Sequence, residues 1–193
     1  MEFKVKLGVS ARHLHVSQKD LEILFGPGAK LTHMKDLGQP GQFASNERVD
    51  LVGPKGTFAG IRILGPVRPV TQVELSISEA RKIGVVAPIR ESGDIKGSGK
   101  ATLVGPKGSV ELEEGVIVAA RHVHLTVETA EKYGIKDKDL LKVKLEGERP
   151  TLFEGVIARV SPNFADEIHL DVDEGNASCA ENDMMVSVIL EDK

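Results

Sequence analysis

The 193-residue sequence predicts a mainly β protein with short helices, built as two related halves. Strand-like segments dominate, alternating apolar and polar residues or running apolar between turn signals. Helical stretches are few and short. A pentapeptide with two histidines occurs twice, as Ala11-Arg12-His13-Leu14-His15 and Ala120-Arg121-His122-Val123-His124. Each copy follows an apolar approach that reads as a strand. Residues two apart on a strand point to one face, so each copy presents two imidazoles side by side, a common start for a metal site. Two such pairs predict two metals, or one site built from both halves.

In chain order, residues 4–10 form a strand leading to the first motif. Residues 17–25 form a helix, with Ser17 as N-cap and Asp20 three residues on. Residues 26–46, rich in Gly and Pro, are an excursion without counterpart in the second half. Such an insertion lines a cleft or makes a subunit contact; His33 within it reads as an ordinary loop residue. Residues 48–52, 59–64 and 72–76 read as strands. Residues 78–83 read as a helix capped by Ser78 and stopped by Gly84. Residues 101–104 and 116–120 are strands, with a solvated turn at 111–114. Residues 126–133 form a helix capped by Thr126 and stopped by Gly134. Strands follow at 140–145, 155–160, 167–172 and 184–190. Leu-Val-Gly-Pro-Lys-Gly occurs at 51–56 and again at 103–108. It reads as a tight turn leaving a strand; without a Gly-Lys-Ser/Thr ending it is not a Walker loop.

Net charge is −4 with both signs interspersed, aromatics are 4% and Trp is absent. Neither an electrostatic footprint nor a stacking platform for nucleic acid follows. No apolar run is long enough for a membrane helix, and no apolar core of a signal peptide is present. A cytoplasmic protein without nucleic-acid or membrane partners is expected. Cys179 is the single cysteine. It reads as a small buried hydrophobe rather than an acyl carrier. Arg12 and Arg121 read as structural ion-pair formers.

The halves align beyond the motif. Val49 falls on Val143, Thr57 on Thr151, Pro66 on Pro162 and Leu75 on Leu170, which sets Glu74 opposite His169. Each half then offers three ligand types: His13, His15 and Glu74, and His122, His124 and His169. Three protein ligands with an open position is the pattern of a catalytic zinc, although cobalt and iron also suit such donors.

These residues, with FGPGAKLT, QPGQFA, ILGPVRPVTQVELS, APIRESGD and EIHLDVDEGNA, resemble the PduL-type phosphotransacylases, or phosphate propanoyltransferases, across essentially the whole chain. The resemblance implies two pseudo-repeated small β-barrels with a metal site between them, holding two zinc ions on the two triads. It implies domains at 12–119 and at 1–11 plus 120–193, with the first strand belonging to the C-terminal half. The implied substrates are a coenzyme A thioester and inorganic phosphate, and a homodimer is admissible. The family's microcompartment-targeting extension is not seen here, which implies a free cytoplasmic enzyme. Arg68, in ILGPVRP, is implied as the catalytic phosphate-binding residue. Ser92 and Asn176 are either substrate-lining or turn residues. Arg81 stands where relatives can carry an aromatic for adenine, and arginine can itself stack or pair with phosphates. The expected reaction is direct attack of phosphate on a short-chain acyl-CoA, propanoyl or acetyl. The alternatives are a zinc-dependent thioesterase and a non-catalytic, metal-stabilised binding protein.

Overall fold

The computed structural model describes residues 1–190. In chain order its elements are β1 (Glu2–Ser10), β2 (His13–His15), α1 (Gln18–Phe25), β3 (His33–Asp36), β4 (Phe43–Gly53), β5 (Gly56–Gly65), β6 (Gln72–Glu74), α2 (Ile77–Ile83), β7 (Ile89–Arg90), β8 (Gly99–Val104), β9 (Ser109–Ala119), β10 (His122–Leu125), α3 (Val127–Tyr133), β11 (Leu140–Leu145), β12 (Thr151–Val160), β13 (Glu167–Asp171), α4 (Val172–Ser178) and β14 (Met185–Ile189).

Two compact units result. The first contains Ala11–Leu37 and Gly41–Ala119; the second contains Met1–Ser10, Gly38–Pro40 and the described residues from Ala120 on. In the first, β4, β5, β2, β6, β9 and β8 pair in that order, and β8 closes back on β4. β3 extends this barrel beside β4, and β7 beside β9. In the second, β11, β12, β10, β13, β1 and β14 form the matching closed ring. Both motif strands run parallel to one neighbour and antiparallel to the other. Closure removes the open edges that would otherwise invite aggregation.

Each barrel fills its interior from alternate strand positions. Leu14, Leu51, Ile63, Val73, Leu103 and Val116 are buried in the first; Leu7, Val123, Val143, Val156, Ile168 and Val188 in the second. Phe3, Val5 and Leu7 point inward from β1 while Glu2, Lys4 and Lys6 between them are exposed, the period-2 pattern of a strand with one buried face. α1 packs Leu21 and Leu24 into the first core.

Several elements differ from expectation. The strand before each motif does not continue into it. Ala11 and Arg12, and Ala120 and Arg121, break the chain between the approach strand and the motif strand. Residues 111–114 lie within β9 rather than in a turn. Val110 and Leu112 point inward there and the glutamates outward, an alternation that the charge run disguises. The excursion contains β3, and His33 sits on this exposed strand, 2.8 Å from Asp36. α2 is capped by Ser76, not Ser78, because Ser76 and Glu79 form a reciprocal capping box. α4 replaces the end of the strand drawn at 167–172, with Asp171 and Glu174 forming a second capping box. Cys179 is exposed rather than buried, because it is the left-handed C-cap that ends α4 at the surface.

The repeated Leu-Val-Gly-Pro-Lys-Gly turns have a packing role. Each is a hairpin whose lysine N–H caps a helix: Lys55 donates to the Ile83 carbonyl of α2, and Lys107 to the Leu24 carbonyl of α1. The first glycine of each turn abuts the same helix. A Cβ on Gly53 would lie 2.4 Å from Ile83 O, and one on Gly105 2.5 Å from Leu24 O.

Candidate metal centres

Leu14 and Val123 are wholly buried in their barrel cores. The histidines flanking each point to the opposite face of the strand. On that face the antiparallel neighbour supplies the third side chain, since His13 pairs with Glu74 and His122 with His169. The structure therefore brings the six predicted residues together as His13, His15 and Glu74 in one barrel, and His122, His124 and His169 in the other. Within each group one ligand-type atom per residue lies within 4.8 Å of the others.

The imidazoles are oriented by backbone carbonyls. His13 Nδ1 lies 2.9 Å from Ala11 O, His122 Nδ1 2.8 Å from Ala120 O, and His15 Nδ1 3.2 Å from Leu64 O. A carbonyl only accepts, so these Nδ1 atoms carry the proton and Nε2 carries the lone pair. Burial, reinforced by His13 and Arg68, lowers the His15 pKa to about 3. Burial, reinforced by His122, His169 and Arg159, lowers that of His124 to about 2. Both rings are therefore neutral near pH 7, the form that binds a metal. His124 Nδ1 is buried without a hydrogen-bond partner, an arrangement that a bound cation would relieve. The donor chemistry of both groups suits a divalent ion such as zinc.

The groups differ in what surrounds them. Glu74 Oε1 accepts from Gln72 Nε2 at 2.6 Å and from Ser92 Oγ at 2.9 Å, while Oε2 lies 3.5 Å from His13 Nε2. Arg68 Nη1 donates to the same Ser92 hydroxyl at 3.3 Å. Gln72 Oε1 accepts the Gly93 N–H at 2.7 Å, tying the loop of Ser92 to β6. Around the other group, His124 lies against Phe164, ring centroids 4.3 Å apart, and the Arg159 guanidinium is 5.6 Å from the Phe164 ring. His169 Nε2 lies 2.9 Å from Glu167 Oε2. Burial pushes the Glu167 carboxyl up, but hydrogen bonds from His169 and Gln39 outweigh it and hold the pKa below the usual value.

The motif arginines sit behind the ligands. Arg12 Nη1 is 2.9 Å from Glu79 Oε1, and Arg121 Nη1 is 2.7 Å from Glu174 Oε1. These glutamates belong to the capping boxes of α2 and α4, helices whose N-caps come two residues after Glu74 and His169. Each arginine thus ties its motif strand to the helix that follows the third ligand. The guanidinium groups also lie over Phe58 and Phe153. Asn176 and Arg81 are exposed on α4 and α2. The Asn176 carbonyl is 3.5 Å from Arg149, and that of Arg81 accepts from the Gly84 N–H; these contacts lead to neither triad. Gln72, Glu167, Gln39 and Arg159 escaped the sequence reading. The one signal for the first two was their place two residues before each third ligand.

No helix among the described residues is long and apolar enough to cross a membrane. The family profile described as phosphate propanoyltransferase matches residues 6–181. A phosphate propanoyltransferase of Priestia megaterium is 54% identical over 173 residues, 90% of this chain and 80% of that protein. One of Thermotoga maritima is 48% identical over 184 residues, 95% of this chain and 88% of that protein. One of Lachnoclostridium phytofermentans is 51% identical over 177 residues, 91% and 83% of the two chains.

Proposed function

The chain belongs to the phosphate propanoyltransferase family, and from that premise we propose that it is a zinc-dependent phosphate acyltransferase. It interconverts acyl-CoA plus phosphate with acyl phosphate plus CoA, for a short acyl group such as propanoyl or acetyl. The observation that carries the reading is the pair of triads, each gathering its donor atoms within 4.8 Å in a chain of this family. His13, His15 and Glu74 would hold one ion, and His122, His124 and His169 the other. Bound zinc supplies Lewis acidity toward a carbonyl or phosphate oxygen.

The residues of the chain do the rest. Arg68 offers a planar fork for a tetrahedral oxyanion. It contributes to lowering the His15 pKa, so its positive charge is felt at the first triad. Its bond to Ser92 holds the guanidinium toward Glu74, because that hydroxyl also donates to the Glu74 carboxylate. Phosphate seated by Arg68 would attack the thioester carbon directly. The phosphate–carbon bond forms as the carbon–sulfur bond breaks, and CoA leaves as the thiolate. Fixing the two substrates at attack distance supplies much of the acceleration, and no protein nucleophile is needed. Ser92, Asn176 and Arg81 are proposed only as substrate contacts; of these, Ser92 has the support of its bond to Arg68. The enzyme is proposed to work in the cytoplasm, and its residues 12–119 and 1–11 plus 120–193 as its two domains.

The test follows CoA release from propanoyl-CoA and from acetyl-CoA, with and without phosphate, before and after chelation. Release that requires phosphate and disappears on chelation supports the proposal. Phosphate-independent release identifies a thioesterase instead, and activity unaffected by complete metal removal overturns the zinc assignment.

A further inference from the structure

The second triad has a carboxylate just outside it, and the way that carboxylate is held separates it from an ordinary surface glutamate. Glu167 stands two residues before His169 on β13, as Gln72 stands two residues before Glu74 on β6. In both barrels the earlier residue hydrogen-bonds the later one. The chemistry is exchanged between the barrels. In the first the carboxylate belongs to the triad and an amide supports it; in the second the imidazole belongs to the triad and a carboxylate supports it. Each centre, counted with its supporting residue, therefore contains one carboxylate.

Glu167 is fixed by residues that have no equivalent in the other barrel. Gln39 is 4% exposed. It donates from Nε2 to Glu167 Oε2 at 2.9 Å and to Ala165 O at 3.1 Å, and accepts the Ala165 N–H at 3.2 Å through Oε1. The His169 and Gln39 nitrogens thus meet on one carboxylate oxygen, which leaves the carboxyl group a single orientation. Two glycines admit it. A Cβ on Gly38 would lie 2.4 Å from both Glu167 oxygens, and one on Gly8 3.2 Å from Glu167 Oε1 and 3.2 Å from His169 Cδ2. Gly38, Gln39 and Pro40 are the only part of the 26–46 excursion that joins the second unit.

We infer that Glu167 is the positioning carboxylate of the second metal centre, and that the excursion in the first half of the chain serves to lock it through Gln39. The inference rests on the metal reading proposed above. Glu167 accepts a hydrogen bond from the Nε2–H of His169, which leaves Nδ1 as the nitrogen that binds. Gln39 acts through Glu167 and touches no ligand.

The test measures zinc affinity by competition with a chromophoric chelator, and melting of the metal-free protein, for the wild type and for Glu167→Gln, Gln39→Met and His169→Ala. Glu167→Gln and Gln39→Met preserve shape, so either alone carries the test. Each is expected to bind both equivalents of zinc, one of them about 10–100-fold more weakly, with the affinity of the other equivalent unchanged. Wild-type affinity in both variants overturns the inference. So does equal weakening of both equivalents together with a lower metal-free melting temperature, which marks a purely structural pair. His169→Ala is expected to lose one equivalent outright. If it retains two, the metal reading fails first and takes the inference with it.

Discussion

His15 and His124 make the metal-free protein sensitive to acid in a direction that follows from their surroundings. Both are buried beside other imidazoles and an arginine, and their pKa values fall to about 3 and about 2. In the unfolded chain each returns to about 6.5. Below that value the unfolded state binds more protons, so stability is fully present above about pH 6.5 and is lost as pH falls toward the folded values. Within that window each residue contributes a slope of up to about 1.4 kcal/mol per pH unit. Metal-free protein should melt at progressively lower temperature from pH 7 to pH 5, and His15→Gln should flatten that dependence. Arg68→Ala is expected to raise the KM for phosphate at least tenfold while leaving the KM for acyl-CoA within about twofold, read by initial rates. Both triads were legible at this scale because a histidine pair repeats and the repeat alignment supplies the third member. Gln39 was not. It opens the QPGQFA segment, but residue type and spacing give this glutamine no role until the fold sets it against Ala165 and Glu167.

At the scale of elements, the turns and caps set the ligand strands. Gly105→Ala forces a methyl group toward the Leu24 carbonyl at 2.5 Å. Such overpacking costs about 1–3 kcal/mol, and differential scanning calorimetry should show a fall of several degrees. The reverse is expected at Cys179. It occupies a left-handed C-cap at φ 51°, a conformation costly for L-residues and easy for glycine. Cys179→Gly should raise the melting temperature by about 1–4 °C, on a gain of about 0.5–1 kcal/mol. Cys179→Ala should leave acyl transfer within about twofold of wild type. The sequence showed α1 and α3 clearly, since each has a hydroxyl cap before an apolar-periodic stretch. α4 was hidden because Gly175, Asn176 and Ser178 are poor helix formers. Its capping box and the Arg121–Glu174 ion pair compensate, and the arginine comes from far along the chain. β9 was hidden for a different reason: its glutamates face solvent from a strand whose other face is buried.

At the scale of the whole molecule, the two barrels are matched strand for strand but not cut from the chain in sequence. β1 pairs with β13 and β14, and β9 pairs with β6, β7 and β8, so the strand leading into each histidine motif closes the barrel that the motif does not enter. Deleting residues 1–10 should therefore open the second barrel rather than trim a tail. Limited proteolysis should then cut first in β13 and β14, and zinc binding at His122, His124 and His169 should be lost while that at His13, His15 and Glu74 persists. Periodicity could reveal the strands, but not this exchange, because a strand pattern reports which face is buried and is silent about the partner. The connectivity is that of two half-chains trading their leading arms, joined end to end. A swapped pair normally depends on concentration, since each arm must find a second molecule. Here the partner arm is always tethered, so both closures are intramolecular and dilution cannot undo them.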